Sequence, residues 1–252
     1  MPNWVFNHLD VTGDAADIQA FKDAMNAPYT RKHIATVPDD NGGWTTRVEE
    51  VTYSNPVFSF YNIIRPDESI LDEYDAIQPK IKSDTPVSDP NWWADTQEIA
   101  KTDNSWYNWN IRNWGVKWDV AVSNDNKYPD TYIEGPVAND GTDEKDPWVV
   151  YYSFNTAWGV AEEAISALSK QYPKCLLTLS YEEETGWGGQ REYLRGHCTY
   201  MSEYETQCPD CDKTDCLEYC ESCESTYCTK CNYSDNDDEC QHAEESEELT
   251  NA

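Results

Sequence analysis

The sequence predicts an α+β fold in which two helices cover one face of an antiparallel sheet, followed by a small metal-binding module. Three observations predict it. Apolar residues alternate at the strand period in segments near both ends of the first 198 residues. Two stretches between them carry apolar residues at helical spacing. From residue 199 the chain changes character, and cysteines recur in Cys-x-x-Cys pairs. The element order, with strand–helix–strands repeated twice, is that of a split βαβ, ferredoxin-like arrangement, and right-handed crossovers limit the alternatives.

In chain order, Trp4–Thr12 reads as a strand. Val5, Leu9 and Val11 lie on one face and Trp4, Phe6 and His8 on the other, so both faces are partly apolar, which predicts a central strand. Gly13 breaks it, and Asp14 is placed to cap a helix whose buried face is Ile18, Phe21 and Met25. Ile34–Val37 and Trp44–Tyr53 flank a turn at Gly42-Gly43. Val57–Ile64 is a further apolar run. Pro66, Pro79, Pro86 and Pro90 punctuate an insertion, about 72–105, with short helices expected near Glu68–Ile77 and Trp92–Ala100.

Trp106–Asp119 is the most aromatic part of the chain, with four tryptophans in thirteen residues. Tyr107, Trp109, Ile111 and Asn113 would share one strand face and Trp106, Asn108, Asn110 and Arg112 the other, which predicts a strand with one face on a core. The parity shifts at Asn113, so Trp114 and Trp118 require a bulge or turn, and Gly115 could supply it. Core packing is the plainer role for these indoles. The sharper one is a binding face of Trp109, Trp114, Lys117 and Trp118.

The acidic stretch 123–147, broken by Pro129, Gly135, Pro136, Gly141 and Pro147, reads as a second insertion, a loop or a hairpin. Trp148–Phe154 is a strand. Thr156 could cap a helix over Trp158–Tyr172 with Val160, Ala164, Ile165 and Leu168 as its buried stripe. Lys174–Glu182 alternates as a strand, Gly186–Gly189 is a turn, and Gln190–Cys198 is the last strand.

Trp106-Tyr-Asn-Trp109 followed by Asn113-Trp-Gly-Val-Lys-Trp-Asp119 resembles the signature of the YubB-type ferredoxin-like proteins carried by phages and plasmids. Met1-Pro-Asn-Trp4 with Val11-Thr-Gly-Asp14, Phe58-Ser-Phe60 through Ile64-Arg-Pro-Asp-Glu68, and Phe154-Asn-Thr-Ala-Trp158 with Tyr172-Pro173 and Tyr181-Glu-Glu183 extend the likeness over about residues 1–197. Arg65 and Val116 depart from the usual residues, and 72–105 is not covered. The resemblance implies a ferredoxin-like fold, a mobile-element origin and a domain without assigned activity. It supplies no catalytic residue.

Cys208-x-x-Cys211, Cys220-x-x-Cys223, Cys228-x-x-Cys231 and Cys240-x-His242 have the spacing of tetrahedral zinc knuckles. Four such pairs make two closed, structural sites. The short gap between the second and third pairs is similar in spacing to cross-braced fingers: Cys208, Cys211, Cys228 and Cys231 on one zinc, Cys220, Cys223, Cys240 and His242 on the other. Pairing in sequence order is the alternative, and Cys216 is a spare candidate. Cys175 and Cys198 are expected as buried free thiols. The expected division is a domain over 1–198, a finger over 199–243 and a disordered acidic tail over 244–252.

Charge narrows the function. The chain carries −30 formal charges, and phosphate backbones are held by lysine and arginine, so nucleic acid is disfavoured as a partner. Residues 199–252 contain only Lys213 and Lys230 as basic side chains. The charge would steer the protein to a basic surface, on a host or phage protein, in the extreme as a mimic of nucleic acid. No run has the ~18 apolar residues of a membrane span, and Met1-Pro-Asn-Trp4 lacks the features of a signal peptide, so the expected compartment is the host cytoplasm. No nucleophile elbow or cysteine–histidine motif is present among four histidines, so a non-enzymatic accessory protein is the leading expectation. A small-ligand binder or enzyme with a tryptophan-lined pocket, and a single-strand nucleic-acid binder stacking bases on an aromatic sheet face, are the alternatives.

Overall fold

The structure is a computed structural model that describes residues 3–39, 42–76, 85–124, 131–138 and 147–205, together with 208, 210, 217–220, 225–231 and 234. Its elements are β1 (Trp4–Gly13), α1 (Ala15–Met25), β2 (Tyr29–Pro38), β3 (Trp44–Tyr53), α2 (Phe60–Ile63), a 3-10 turn at Glu68–Ile70, α3 (Leu71–Tyr74), α4 (Trp92–Ala100), α5 (Trp106–Trp114), β4 (Tyr132–Ala138), β5 (Trp148–Ala157), α6 (Glu162–Gln171), β6 (Leu176–Glu183), β7 (Gly188–Leu194), β8 (His197–Tyr204), β9 (Leu217–Cys220) and β10 (Ser225–Cys228).

The main sheet runs β4-β5-β1-β6-β7-β8, and each neighbouring pair is antiparallel. Its first four strands, with α1 after β1 and α6 after β5, form the split βαβ of a ferredoxin-like fold. β1 is central, as its two apolar faces predict. Val5, Leu9 and Val11 are fully buried, in one cluster with Ile18, Phe21 and Met25 of α1 and Ala164, Ile165 and Leu168 of α6. Both helices therefore cover the same face.

Three local expectations are corrected. The tryptophan stretch is the helix α5, not a strand. Trp109, Asn110 and Trp114 are its buried residues, a helical spacing, while Tyr107 and Ile111, one turn apart, are exposed. Tyr107, Trp109 and Ile111 satisfied the strand period by accident. The decisive signals were terminal. Asp103 accepts from Ser105 N at 3.0 Å and Ser105 Oγ at 2.6 Å just before the first turn. Gly115, at φ +82°, ends the helix in the left-handed conformation, and a Cβ there would meet Val160 O at 3.1 Å.

The second correction concerns 123–147. The strand that completes the split βαβ unit, β4, lies inside this expected insertion. It is an edge strand with a register shift between Glu134 and Val137, around Gly135-Pro136. Proline is tolerated at such an edge, which is why the segment does not read as a strand. The insertion is instead the whole region between α1 and β4, and it includes α5 and the separate β2–β3 ribbon.

The third correction concerns the end of the sheet. The single expected strand 190–198 is a hairpin, β7–β8, turning through Arg195 and Gly196, both at positive φ, the geometry of a two-residue hairpin turn. β8 crosses the expected boundary at 198 and carries the sheet to Tyr204. Likewise Thr156 does not cap α6: it lies in β5, its hydroxyl donating to Gly159 O at 2.6 Å.

The insertion is anchored by rings. Phe58 stacks on Phe154 at 5.1 Å, Phe60 meets Trp114 at 6.0 Å, and Trp109 meets Trp114 edge-on at 5.7 Å. Trp114 is fully buried and donates Nε1–H to Ile64 O at 3.0 Å. Trp114→Ala should cost about 3–5 kcal/mol in chemical denaturation. Trp93→Ala, at a ring 64% exposed in α4, should stay within about 0.5 kcal/mol of the parent.

Candidate functional sites: a thiol cluster and an aromatic cleft

The first site is built by the β9–β10 hairpin. Its register pairs Cys220 with Ser225 and Cys228 with Leu217, so Cys220 and Cys228 stand at opposite ends of a four-residue ladder, about 10 Å apart along the strands at 3.3 Å per residue. At the Cys228 end, the chain turns so that Lys230 N–H donates to Cys228 Sγ at 3.3 Å. Cys208 joins it there. The sulfurs of Cys208, Cys228 and Cys231 lie within 4.8 Å of one another, with Cys208 and Cys231 3.4 Å apart. Cys208 and Cys228 are buried. Three thiols at this separation are within reach of one metal ion.

These are three of the four residues expected at the first zinc. The hairpin register sets Cys220 apart from them, which favours pairing of the first knuckle with the third over pairing in sequence order. Cys211, Cys216, Cys223, Cys240 and His242 lie outside the described residues, and of Cys220 only the backbone is described. Of the two remaining cysteines, Cys175 is buried as expected, and burial pushes its thiol pKa up to about 11. Cys198 is exposed, contrary to expectation, because β8 is a solvent-facing edge strand.

The second site is a cleft of about 620 Å³ between the β2–β3 ribbon and the segment that follows α5. Tyr53, Tyr74, Trp106 and Trp118 are among its walls, with Arg31 and Asp119 as charged groups. Asp119 positions these elements. Its carboxylate accepts from Ser59 Oγ at 2.8 Å, Tyr29 OH at 3.0 Å, and the backbone N–H groups of Phe60 and Val120, each at 2.8 Å. Burial, then the charge of Asp119, raises the Tyr29 pKa, so its phenol stays protonated and donates. Asp119 thus ties β2 to α2 and to the end of the tryptophan segment.

The predicted binding face divides in two. Trp109 and Trp114 are core residues. Lys117 and Trp118 reach the surface, where they gather partners distant in sequence. Lys117 Nζ lies 4.4 Å from the Trp118 ring centre, 5.0 Å from Trp158, 5.6 Å from Tyr107 and 5.8 Å from Trp106. Such packing is cation–π attraction, and the partial burial lowers the Lys117 pKa. Trp4 and Trp158 flank Trp118 at 6.2 and 5.6 Å. Trp158 holds φ +63°, uncommon for a bulky side chain. Nothing local in the sequence around 106–119 signals Trp4 or Trp158 as partners.

The sheet face opposite the helices is open. Phe6, Tyr200 and Tyr204 are each about half exposed. Cross-strand rows through Phe6, His8 and Asp10 place Glu182 and Glu192 on that face and no lysine or arginine, which weighs against stacking of a nucleic acid there. Among the described residues, no helix is long and apolar enough to cross a membrane.

Asp119→Ala should leave Ser59, Tyr29 and Phe60 with unmet donors and cost about 3 kcal/mol or more. Loss of near-ultraviolet circular dichroism from the tryptophan segment at lower denaturant concentration than in the parent would report it.

No curated protein matches the chain. One solved structure is similar, that of a protein api92 from Yersinia pseudotuberculosis, at 11% identity and a TM-score of 0.40, covering 82% of this chain and 100% of that chain. Residues 139–221, which hold β5 through β9, match the family model described as the ferredoxin-like domain in Api92-like protein, a description that names a fold and no activity.

Proposed function

We propose that this chain is a non-enzymatic accessory protein of a phage or plasmid that acts in the host cytoplasm by binding and modulating a host or phage protein with a basic surface. The observation that carries the proposal is the thiol cluster of Cys208, Cys228 and Cys231 at the start of an acidic segment. With Cys211 as the fourth ligand it makes a closed zinc site, and Cys220, Cys223, Cys240 and His242 make the second. Four protein ligands leave no position for water or substrate, so each zinc is structural. A segment with little apolar surface then takes its folding energy from the metal. The result is a rigid acidic knob displayed beyond the last strand of the sheet.

The −30 formal charge gives that knob and the open sheet face one shared chemistry: attraction to a positive cleft. In its extreme form this is mimicry of nucleic acid, with association steered by long-range charge and weakened by salt. The full chain as bait in host lysate is expected to capture a stoichiometric basic protein and release it as ionic strength rises to ~1 M, where the Debye length is about 3 Å. Capture of none, or capture indifferent to salt, contradicts the proposal. A chelator should open 205–243 to proteolysis while the thermal transition of the sheet is kept. Cys228→Ser should do the same without chelator and lower the bound zinc by one ion.

A further inference from the structure

Arg31 is the feature of the cleft that its own surroundings do not explain. It stands on the inner face of β2, between Tyr29 and His33, and lines the cleft. Its Nε and Nη1 are buried and take no hydrogen-bond partner among the described residues. Its guanidinium carbon lies over the Tyr61 ring, 5.4 Å from the ring centre. The charge of Asp119 acts on Arg31, while both oxygens of that carboxylate accept hydrogen bonds from Ser59, Tyr29, Phe60 and Val120. Of the other acidic side chains at the cleft, Asp75 lies 3.9 Å from Lys32 and Glu49 pairs with Arg47. A buried guanidinium with donors unmet costs several kcal/mol, and native proteins rarely leave such groups without a partner.

We infer that the cleft is a binding site for a small planar anion, an aromatic ring bearing a carboxylate or phosphate, whose charge is met by Arg31 and whose ring lies between Tyr53 and the indoles of Trp106 and Trp118. The chemistry fits both halves of the site. Guanidinium nitrogens recognise carboxylate and phosphate oxygens. Aromatic walls with a few polar groups are the usual construction of a small-molecule pocket. A volume of about 620 Å³ holds a ligand of this size. Arg31 and Lys32 bring positive charge to a lining that also holds Glu49, Glu50, Asp75 and Asp119.

The test uses the full chain and four probes: naphthoate and adenosine monophosphate, with their neutral counterparts naphthamide and adenosine. Binding is read by quenching of tryptophan fluorescence and by the rise in Tm that a native-state ligand produces. At least one anion is expected to bind at least tenfold tighter than its neutral counterpart, and which one does so identifies the carboxylate or the phosphate as the group recognised. Arg31→Met should reduce that affinity at least tenfold while its thermal transition without ligand stays cooperative and its near-ultraviolet circular dichroism stays that of the parent. Arg31→Lys should keep part of the affinity. Failure of both anions to bind at millimolar concentration, equal binding of the neutral probes, or full affinity in Arg31→Met would overturn the inference.

Discussion

A single carboxylate ties the inserted segments of this protein to one another. Asp119 receives donors from β2, from the start of α2 and from its own following residue. On the other side of the same insertion, Phe58, Phe60 and Trp114 pack on Phe154 of β5 and on one another. The polar pin fixes direction and the rings supply burial. Neither suffices by itself: the rings alone would permit the β2–β3 ribbon to rotate, and the pin alone buries little. Together they leave a cleft between ribbon and tryptophan segment, because the ribbon is held at its Tyr29–Tyr53 end while the rest of it projects.

The cost of this construction is visible in the backbone. Val57 holds φ +67° between the ribbon and α2, with its N–H taken by Asn26 Oδ1 at 2.9 Å and the next N–H turned back to Pro56 O at 2.8 Å. A β-branched residue in that region is a genuine outlier. It is tolerated because Phe58, the next residue, is fully buried and over-determines the position of the turn.

What was legible in the sequence is what local pattern encodes. β1, α1, β5, α6 and β6 follow from alternation or helical spacing, and β1 could be placed at the centre from its two apolar faces. β4 was illegible because an edge strand with a bulge and a proline needs neither alternation nor good strand formers. α5 was misread because Tyr107, Trp109 and Ile111 alternate at the strand period while Trp109, Asn110 and Trp114 share a helical face, and only Asp103 and Gly115 distinguish the two. The cleft was half legible. Trp118 and Lys117 stand out as residues, whereas Arg31, Tyr53, Trp4 and Trp158 reach them only through long-range folding. The Cys-x-x-Cys spacing, by contrast, is local, and it directed attention to Cys208, Cys228 and Cys231, the thiols that the fold of the β9–β10 hairpin gathers.

The β9–β10 hairpin lies across the end of the matched span. β9 falls within the match to the ferredoxin-like domain of Api92-like proteins, while Cys228 and Cys231 lie beyond it, so the thiol cluster joins residues inside and outside the matched span. We propose that metal, rather than a hydrophobic core, organises this end of the chain. Native mass spectrometry of the purified protein, with and without chelator, tests it most directly. Two zinc ions per chain, lost together with a shift to higher charge states, is the predicted result. A single ion, or no metal with cysteines oxidised to disulfides, would contradict the two-site assignment and remove the rigid acidic knob on which the proposed interaction depends.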